Sequence, residues 1–353
     1  MHGFHRVMRR EFLNSVSSIV AMSAVPGLAD AQERQRFSRP DDHHATGRNG
    51  AVASTSREAS ESAMWALSQG GNAADAYMTA ALTQIVVEHG LTSIAGGYSI
   101  NYFDAATGEI NSILGPLGPA EAESYDFERG SAVTQTGRAI PVPGFVSGLH
   151  ASHTQFGKLK WSQLFESAIR NANDGFPVAP LLASAASSKA ARFDDGKALW
   201  MKQGRLLRPG EMLVQKDLGR TLKLVSTEGP EYFYTGKFAD NYVRRAAADG
   251  GKISMRDMAD WKELSRSRKV QLEGNYRGYQ IAAGGLVTYA LHLNEALDLK
   301  SFGPAKDNPE SLFRQYRIME EVFLSSPDYS KETHSQFVSP DYARQRADAE
   351  TDV

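Results

Sequence analysis

The apolar positions of this chain follow a helical period before they follow a strand period. In residues 56–69, Ala59, Ala63, Ala66 and Leu67 share one face, which predicts an amphipathic helix. Gly70 and Gly71 end it, because glycine tolerates the left-handed backbone that a helix C-terminus uses. Asn72 suits the cap of a second helix over residues 73–87, whose alanine and leucine content fits close burial. Residues 98–103 and 109–114 flank the turn Asp104-Ala105-Ala106-Thr107-Gly108 and predict a β-hairpin. Residues 50–54 read as a short buried strand.

Further along, the rigid turn Ile140-Pro141-Val142-Pro143-Gly144 leads into a helix over residues 145–156. Helices are predicted over 161–174 (ending at Gly175), 181–192, 216–228, 237–249 and 255–261. Strands over 269–273 and 279–283 surround the turn Gly274-Asn275-Tyr276-Arg277-Gly278. Helices over 289–299 and 310–325 follow. No repeat or low-complexity linker interrupts the pattern. The expectation is one compact α/β unit over residues 50–353 whose helices outnumber its strands.

The first residues depart from this pattern. Arg9-Arg10-Glu11-Phe12-Leu13 precedes a small, apolar run over 15–24, then Ala29-Asp30-Ala31. A charged start, a short apolar core and an Ala-x-Ala site read as a secretory signal over residues 1–31. The paired arginines resemble a twin-arginine export signal. The run is too short to span a bilayer, which takes roughly 20 apolar residues. Residues 32–49 form a flexible polar segment containing Asp41, Asp42, His43 and His44, which reads as a solvated tail rather than a metal site, since structural sites want four ligands.

Charge and composition then remove several classes of function. The 353 residues carry 39 basic and 41 acidic side chains, a net of -2. There is no basic stripe with interleaved aromatics, so nucleic acid is not an expected partner. Cysteine is absent, which excludes disulfides, a thiol nucleophile and thiolate metal sites. No Gly-x-Ser-x-Gly elbow, zinc helix or phosphate loop is present. Ser147 lies at the wrong spacing for an elbow. His150 and His153 stand three apart on a predicted helix and read as a polar face rather than a metal pair.

A series of short motifs carries the functional signal. It runs Gly70-Gly71-Asn72-Ala73-Ala74-Asp75-Ala76, Val86-Val87-Glu88, Gly96-Gly97, the turn at Asp104, and Pro143-Gly144-Phe145-Val146-Ser147-Gly148-Leu149. It continues with Gly157-Lys158-Leu159-Lys160-Trp161, Gly175-Phe176-Pro177-Val178, Phe233-Tyr234-Thr235-Gly236, Gly250-Gly251-Lys252-Ile253, Arg277-Gly278-Tyr279 and Pro327-Asp328-Tyr329. Each alone marks little more than a turn. In this order they resemble the large subunit of the gamma-glutamyltranspeptidase family. The resemblance implies the helix-rich part of a four-layer αββα N-terminal-nucleophile hydrolase sandwich. It also implies transferase or hydrolase activity on gamma-glutamyl or related amides, as in glutathione metabolism, with no cofactor. The implied partners are a small amide or peptide substrate and a separate small subunit carrying an N-terminal threonine.

Three departures from the family pattern bear on activity. The family carries an arginine after the hairpin, in a Gly-Arg-Glu-x-Ala-Pro context, that clamps the substrate's α-carboxylate; the planar guanidinium fork suits that task. Here the segment reads Gly115-Pro116-Leu117-Gly118-Pro119-Ala120, with Pro116 in place of the arginine; Arg129 and Arg138 lie downstream without fitting the motif. The family's proline- and serine-rich loop after Tyr279 is reduced to Ile281-Ala282-Ala283-Gly284-Gly285. The catalytic threonine is not found; Thr333 reads as an ordinary loop residue. Two readings follow: a family enzyme whose nucleophile lies on a separate chain or was lost by truncation and which is inactive alone, or a non-catalytic periplasmic binding or scaffold protein. Both place the protein in the periplasm or outside the cell.

Overall fold

The computed structural model describes residues 46–124, 133, 136–187, 194–270, 274–330 and 332–351. Their contacts group into two units, one before and one from residue 270. The expected export signal and the Asp41–His44 cluster lie outside the described residues.

The first unit opens with α1 (Arg57–Ser68) and α2 (Ala73–Val87). Ser56 caps α1 by accepting the Ala59 amide. On α1, Ala59, Ala63 and Ala66 are buried as the spacing predicts, and they let α2 approach closely. The expected strand at 50–54 is a loop. Ala51, Ala53 and Ser54 are exposed, and no described strand lies alongside to receive their backbone hydrogen bonds; only Val52 packs on the α1–α2 alanines.

Strands β1 (Tyr98–Asp104) and β2 (Glu109–Gly115) form the predicted hairpin, in register from Tyr98↔Gly115 to Asp104↔Glu109. Helix α3 (Phe145–Phe156) packs beneath it. The predicted helix over 161–174 is interrupted at Phe165, giving α4 (Trp161–Leu164) and α5 (Glu166–Asp174). Phe165 is fully buried, and its ring meets Trp161 edge-on at 4.9 Å. The helix expected over 181–192 appears as α6 (Pro180–Ser187); residues 188–193 lie outside the described set. Helix α7 (Asp194–Trp200) was not signalled by the sequence pattern. Helices α8 (Lys216–Glu228), α9 (Pro230–Tyr234), α10 (Lys237–Ala248) and α11 (Met255–Ala259) complete this unit's helices.

A strand over Arg266–Val270, β3 here, lies beside β2 in a three-stranded sheet of order β1-β2-β3. It starts three residues before the predicted 269–273, and residues 271–273 lie outside the described set. The Ser267 hydroxyl donates to Gln155 of α3 at 2.9 Å, so Ser267 faces the helix. Successive strand residues alternate faces, so Arg266 and Arg268 project from the opposite face. That face carries Ser99, Asn101, Phe103, Ser112 and Leu114, because Tyr98, Ile100 and Ile113 turn toward the core.

In the second unit, β4 (Gly274–Tyr276) and β5 (Tyr279–Ile281) form a small hairpin. Helix α12 (Gly285–Ala296) begins four residues before the predicted 289–299. Gly285 accounts for this start: a Cβ there would stand 2.6 Å from the Tyr329 ring. Helices α13 (Pro309–Ser325), α14 (His334–Phe337) and α15 (Pro340–Thr351) pack on α12 around Tyr289, Leu293, Ile318 and Phe337.

Candidate functional site

The motif at residues 70–76 is a structural clasp. Gly70 adopts φ +86°, which ends α1. Asn72 and Asp75 form a reciprocal capping box, the Asp75 amide donating to Asn72 at 3.0 Å and the Asn72 amide to Asp75 at 2.9 Å. The fully buried Asp75 carboxylate also accepts the amides of Lys158 at 3.1 Å and Leu159 at 3.3 Å. Asn72 Nδ2 donates to the Phe156 carbonyl at 2.7 Å. The first motif thereby holds the Gly157–Trp161 motif through backbone groups.

A second clasp fixes the segment that leaves β2. The amides of Gly144 and Phe145 donate to the Gly96 carbonyl at 3.0 and 2.8 Å. Gly118 and Val142 exchange backbone hydrogen bonds of 2.9 and 2.8 Å. Gly97 stands against the same segment: a Cβ on it would lie 3.3 Å from the Gly115 carbonyl oxygen. Pro116 sits half-buried within this frame, and Leu117 is exposed. At Pro116 the chain presents no cation.

Of the two downstream arginines, Arg138 is engaged elsewhere. Arg129 lies outside the described residues. Arg138 is committed to Glu123: its Nη2 donates at 2.7 Å to a carboxylate whose side chain is 1% exposed. The hydrogen bond from Arg138 holds Glu123 below the usual carboxylate range.

The other residues singled out in the sequence are structural. Ser147 donates its hydroxyl to the Trp261 carbonyl at 2.8 Å and its amide to Tyr234 Oη at 3.0 Å. Burial pushes the Tyr234 hydroxyl well above the usual tyrosine value. His150 and His153 pack edge-on against Trp161, and His153 Nε2 meets the Leu159 carbonyl at 2.8 Å. No group of three potential ligands gathers at a metal-binding distance among the described residues. Thr333 Oγ1 donates to the Asp328 carbonyl at 2.7 Å in an exposed turn. The loop after β5 runs directly into α12, with the Gly285 amide donating to Tyr329 Oη at 3.3 Å.

Beside the Gly96–Gly97 turn, the structure contains a cavity of about 520 Å³ that the sequence reading did not anticipate. It opens between the C-terminal half of α2 and the loop that carries the chain to β1, and Gly96, Gly97 and Phe145 contribute to both the clasp and its wall. The residues that line it are scattered over 77–99 and 145 with no motif spacing; only the Gly96-Gly97 pair pointed here.

The family profile described as Gamma-glutamyltranspeptidase matches residues 59–350. The chain belongs to the gamma-glutamyltranspeptidase family. It is 31% identical to a glutathione hydrolase proenzyme of Pseudomonas aeruginosa, across 86% of this chain and 57% of that protein. It is 30% identical to an acylase ACY 1 proenzyme of Pseudomonas sp. strain SE83, across 73% of this chain and 50% of that protein. The chain thus spans less than two thirds of the length of these curated relatives.

Among solved structures, a gamma-glutamyltranspeptidase from Pseudomonas nitroreducens, complexed with L-DON, superposes with a TM-score of 0.75 at 26% identity. It covers 86% of this chain and 95% of that chain. The mixed helix-and-sheet arrangement is therefore the N-terminal-nucleophile hydrolase fold of the gamma-glutamyltranspeptidases. No described helix is long and apolar enough to cross a membrane.

Proposed function

We propose that this chain is the framing part of an exported acyl-transfer enzyme of gamma-glutamyltranspeptidase type, with its nucleophile supplied by the N-terminal threonine of a separate polypeptide. The threonine hydroxyl attacks the substrate amide, its own amine takes the proton, and water or an acceptor amine then resolves the ester. On this reading the chain alone is inactive, since both the attacking hydroxyl and the amine that takes its proton belong to the other polypeptide.

The observation that carries the specificity is Pro116. The segment that presents it is held by the Gly118–Val142 bridge and the Gly115–Gly144 contact. A substrate α-carboxylate finds no guanidinium there, and the preferred acyl group lacks that carboxylate. Similarity to an acylase proenzyme supports this direction. The Arg9-Arg10 pattern supports export, with cleavage near Ala31.

The test is complementation. The chain is co-purified with a family segment beginning in threonine, and turnover of a gamma-glutamyl anilide is compared with that of its decarboxylated 4-aminobutyryl analogue. Faster turnover of the analogue supports the reading, and faster turnover of the glutamyl compound rejects it. The same Pro116 observation favours a second reading, a non-catalytic binding or scaffold protein. A stable complex that turns over neither compound selects it.

A further inference from the structure

The cavity beside Gly96–Gly97 has a consistent chemical character. Its volume, about 520 Å³, lies within the roughly 300–1,000 Å³ typical of small-molecule sites. Among its lining residues there is no aspartate, glutamate, lysine or arginine. One wall is aromatic: Tyr98 meets Tyr77 edge-on at 5.9 Å and Phe145 edge-on at 5.8 Å. Tyr98 and Phe145, each 5% exposed, back this wall, while Tyr77, 43% exposed, offers its ring to the cavity.

The polar lining is neutral and partly uncommitted. His89 stacks on Trp200 at 6.3 Å, with planes 21° apart, and neither of its ring nitrogens is hydrogen-bonded among the described residues. Burial lowers the pKa of His89, so the ring is uncharged at neutral pH. Ser93 Oγ accepts the Ala95 amide at 3.0 Å and keeps its own proton to donate. The Gln84 carboxamide gives its Nε2 to Thr55 at 2.8 Å, leaving its oxygen free to accept. Glu88, the nearest acid in sequence, is held by the Thr55 hydroxyl and does not line the cavity.

We infer that this cavity binds an uncharged, planar aromatic amide, with the ring on Tyr77 and the amide group hydrogen-bonded by His89, Ser93 and Gln84. A carboxylate or an ammonium of the same shape is excluded, because a charge moved out of water without a partner is strongly disfavoured. The inference rests on the acyl-transfer reading only in the choice of an amide as the ligand.

Three isosteric probes decide it: benzamide, benzoate and benzylammonium, titrated into the full chain at pH 7.5 with ligand-observed NMR. Benzamide should bind saturably, at least 10-fold more tightly than either ion. Ala81→Trp, which fills the cavity from α2, should weaken benzamide at least 10-fold. Because that variant can perturb packing, Ser93→Asp provides a second arm. Aspartate can still accept the Ala95 amide while placing a charge in the cavity, so benzylammonium should overtake benzamide. The inference is overturned if benzamide does not saturate, if benzoate binds within threefold of it, or if Ser93→Asp leaves the order of the probes unchanged. A failure of the acyl-transfer reading shows instead in the turnover of the complemented enzyme, which does not depend on these titrations.

Discussion

Gly115 and Gly144 touch backbone to backbone. A Cβ on Gly144 would stand 2.3 Å from the Gly115 carbonyl oxygen and 2.0 Å from that of Pro116, and one on Gly115 would stand 2.2 Å from the Gly144 carbonyl oxygen. These are backbone atoms held by the strand on one side and the start of α3 on the other, so neither can rotate away. Gly144→Ala should therefore destabilise the chain by upwards of about 3 kcal/mol, the severe end of overpacking. Gly108→Ala, at an exposed hairpin turn with open space around it, should cost much less despite its φ of +71°. Thermal melts of the two variants test the contrast.

On the proposed reading, Pro116→Arg should supply a carboxylate clamp. In the complemented enzyme it should raise the apparent affinity for the gamma-glutamyl anilide by one to two decades, from roughly 1.5–3 kcal/mol for a hydrogen bond to a charged group. The decarboxylated analogue should be unaffected. A KM series on both substrates measures this. Equal changes for both would place Pro116 outside the substrate's reach.

Helices α1, α2, α3, α8 and α10 were legible because each combines a consistent apolar face with a glycine or a polar cap at its ends, and α2 matches its predicted bounds. The β1–β2 hairpin was legible from its turn. The strand expected at 50–54 failed because short apolar runs say nothing about whether a neighbouring strand exists. Helix α12 was placed late because Gly284-Gly285 reads locally as a breaker, whereas Gly285 is required by the Tyr329 ring. At the candidate site, Pro116 is read as a departure from the sequence motif alone. The cavity was not, because its walls come from α2, the loop before β1 and α3, and only the fold brings them together. Tyr234 belonged to a recognised motif, but its partners lie some ninety residues away in the chain, beyond any local pattern.

Tyr234→Phe should expose how far that tyrosine supports the site. Its buried hydroxyl donates to the Pro143 carbonyl at 2.6 Å and accepts the Ser147 amide at 3.0 Å. Removing the oxygen leaves both groups buried and unpaired, while the ring keeps its stack on Trp261 at 5.1 Å. The expected loss is about 1–3 kcal/mol in urea unfolding. An unchanged midpoint would mean that water replaces the hydroxyl.

In the second unit, Glu321 should impose an acid dependence. Its carboxylate accepts from Tyr289 Oη at 2.8 Å and from Arg346 at 2.8 and 2.7 Å. Burial acts to raise its pKa, but these hydrogen bonds, led by Arg346, outweigh burial and hold it below the usual value. The unfolded chain therefore binds the proton more readily. The stabilisation is complete above the unfolded glutamate pKa, about 4.3, and is lost as pH falls through the lower folded value. Glu321→Gln should flatten the melting temperature against pH in this acid range. At pH 7 it should cost about 1–3 kcal/mol, moderated because Arg346 is 40% exposed. A wild-type profile with the same slope as the variant would assign the acid sensitivity elsewhere.

The open face of the β1-β2-β3 sheet exposes Phe103 at 59% and Leu114 at 44%, and α13 exposes Met319 at 60% and Phe323 at 71%. Apolar patches beyond a few hundred Å² are unusual on soluble monomers. The isolated chain should self-associate or bind a hydrophobic dye, and Phe103→Ser combined with Phe323→Ser should reduce both. Size-exclusion chromatography with light scattering and dye fluorescence provide the readouts. A dye-silent monomer would favour the stand-alone binding protein.

The Asp75 carboxylate has a kinetic consequence. Part of its solvation shell is built from the amides of Lys158 and Leu159, more than eighty positions later in the chain. Until that later turn arrives, desolvating the start of α2 strands an anion, and closing so long a loop is entropically slow. The N-terminus of α2 therefore stays hydrated during early collapse and locks only when the turn docks. The amides of Lys158 and Leu159 should then gain their exchange protection in the same step as the first turn of α2, making these two distant stretches one folding event.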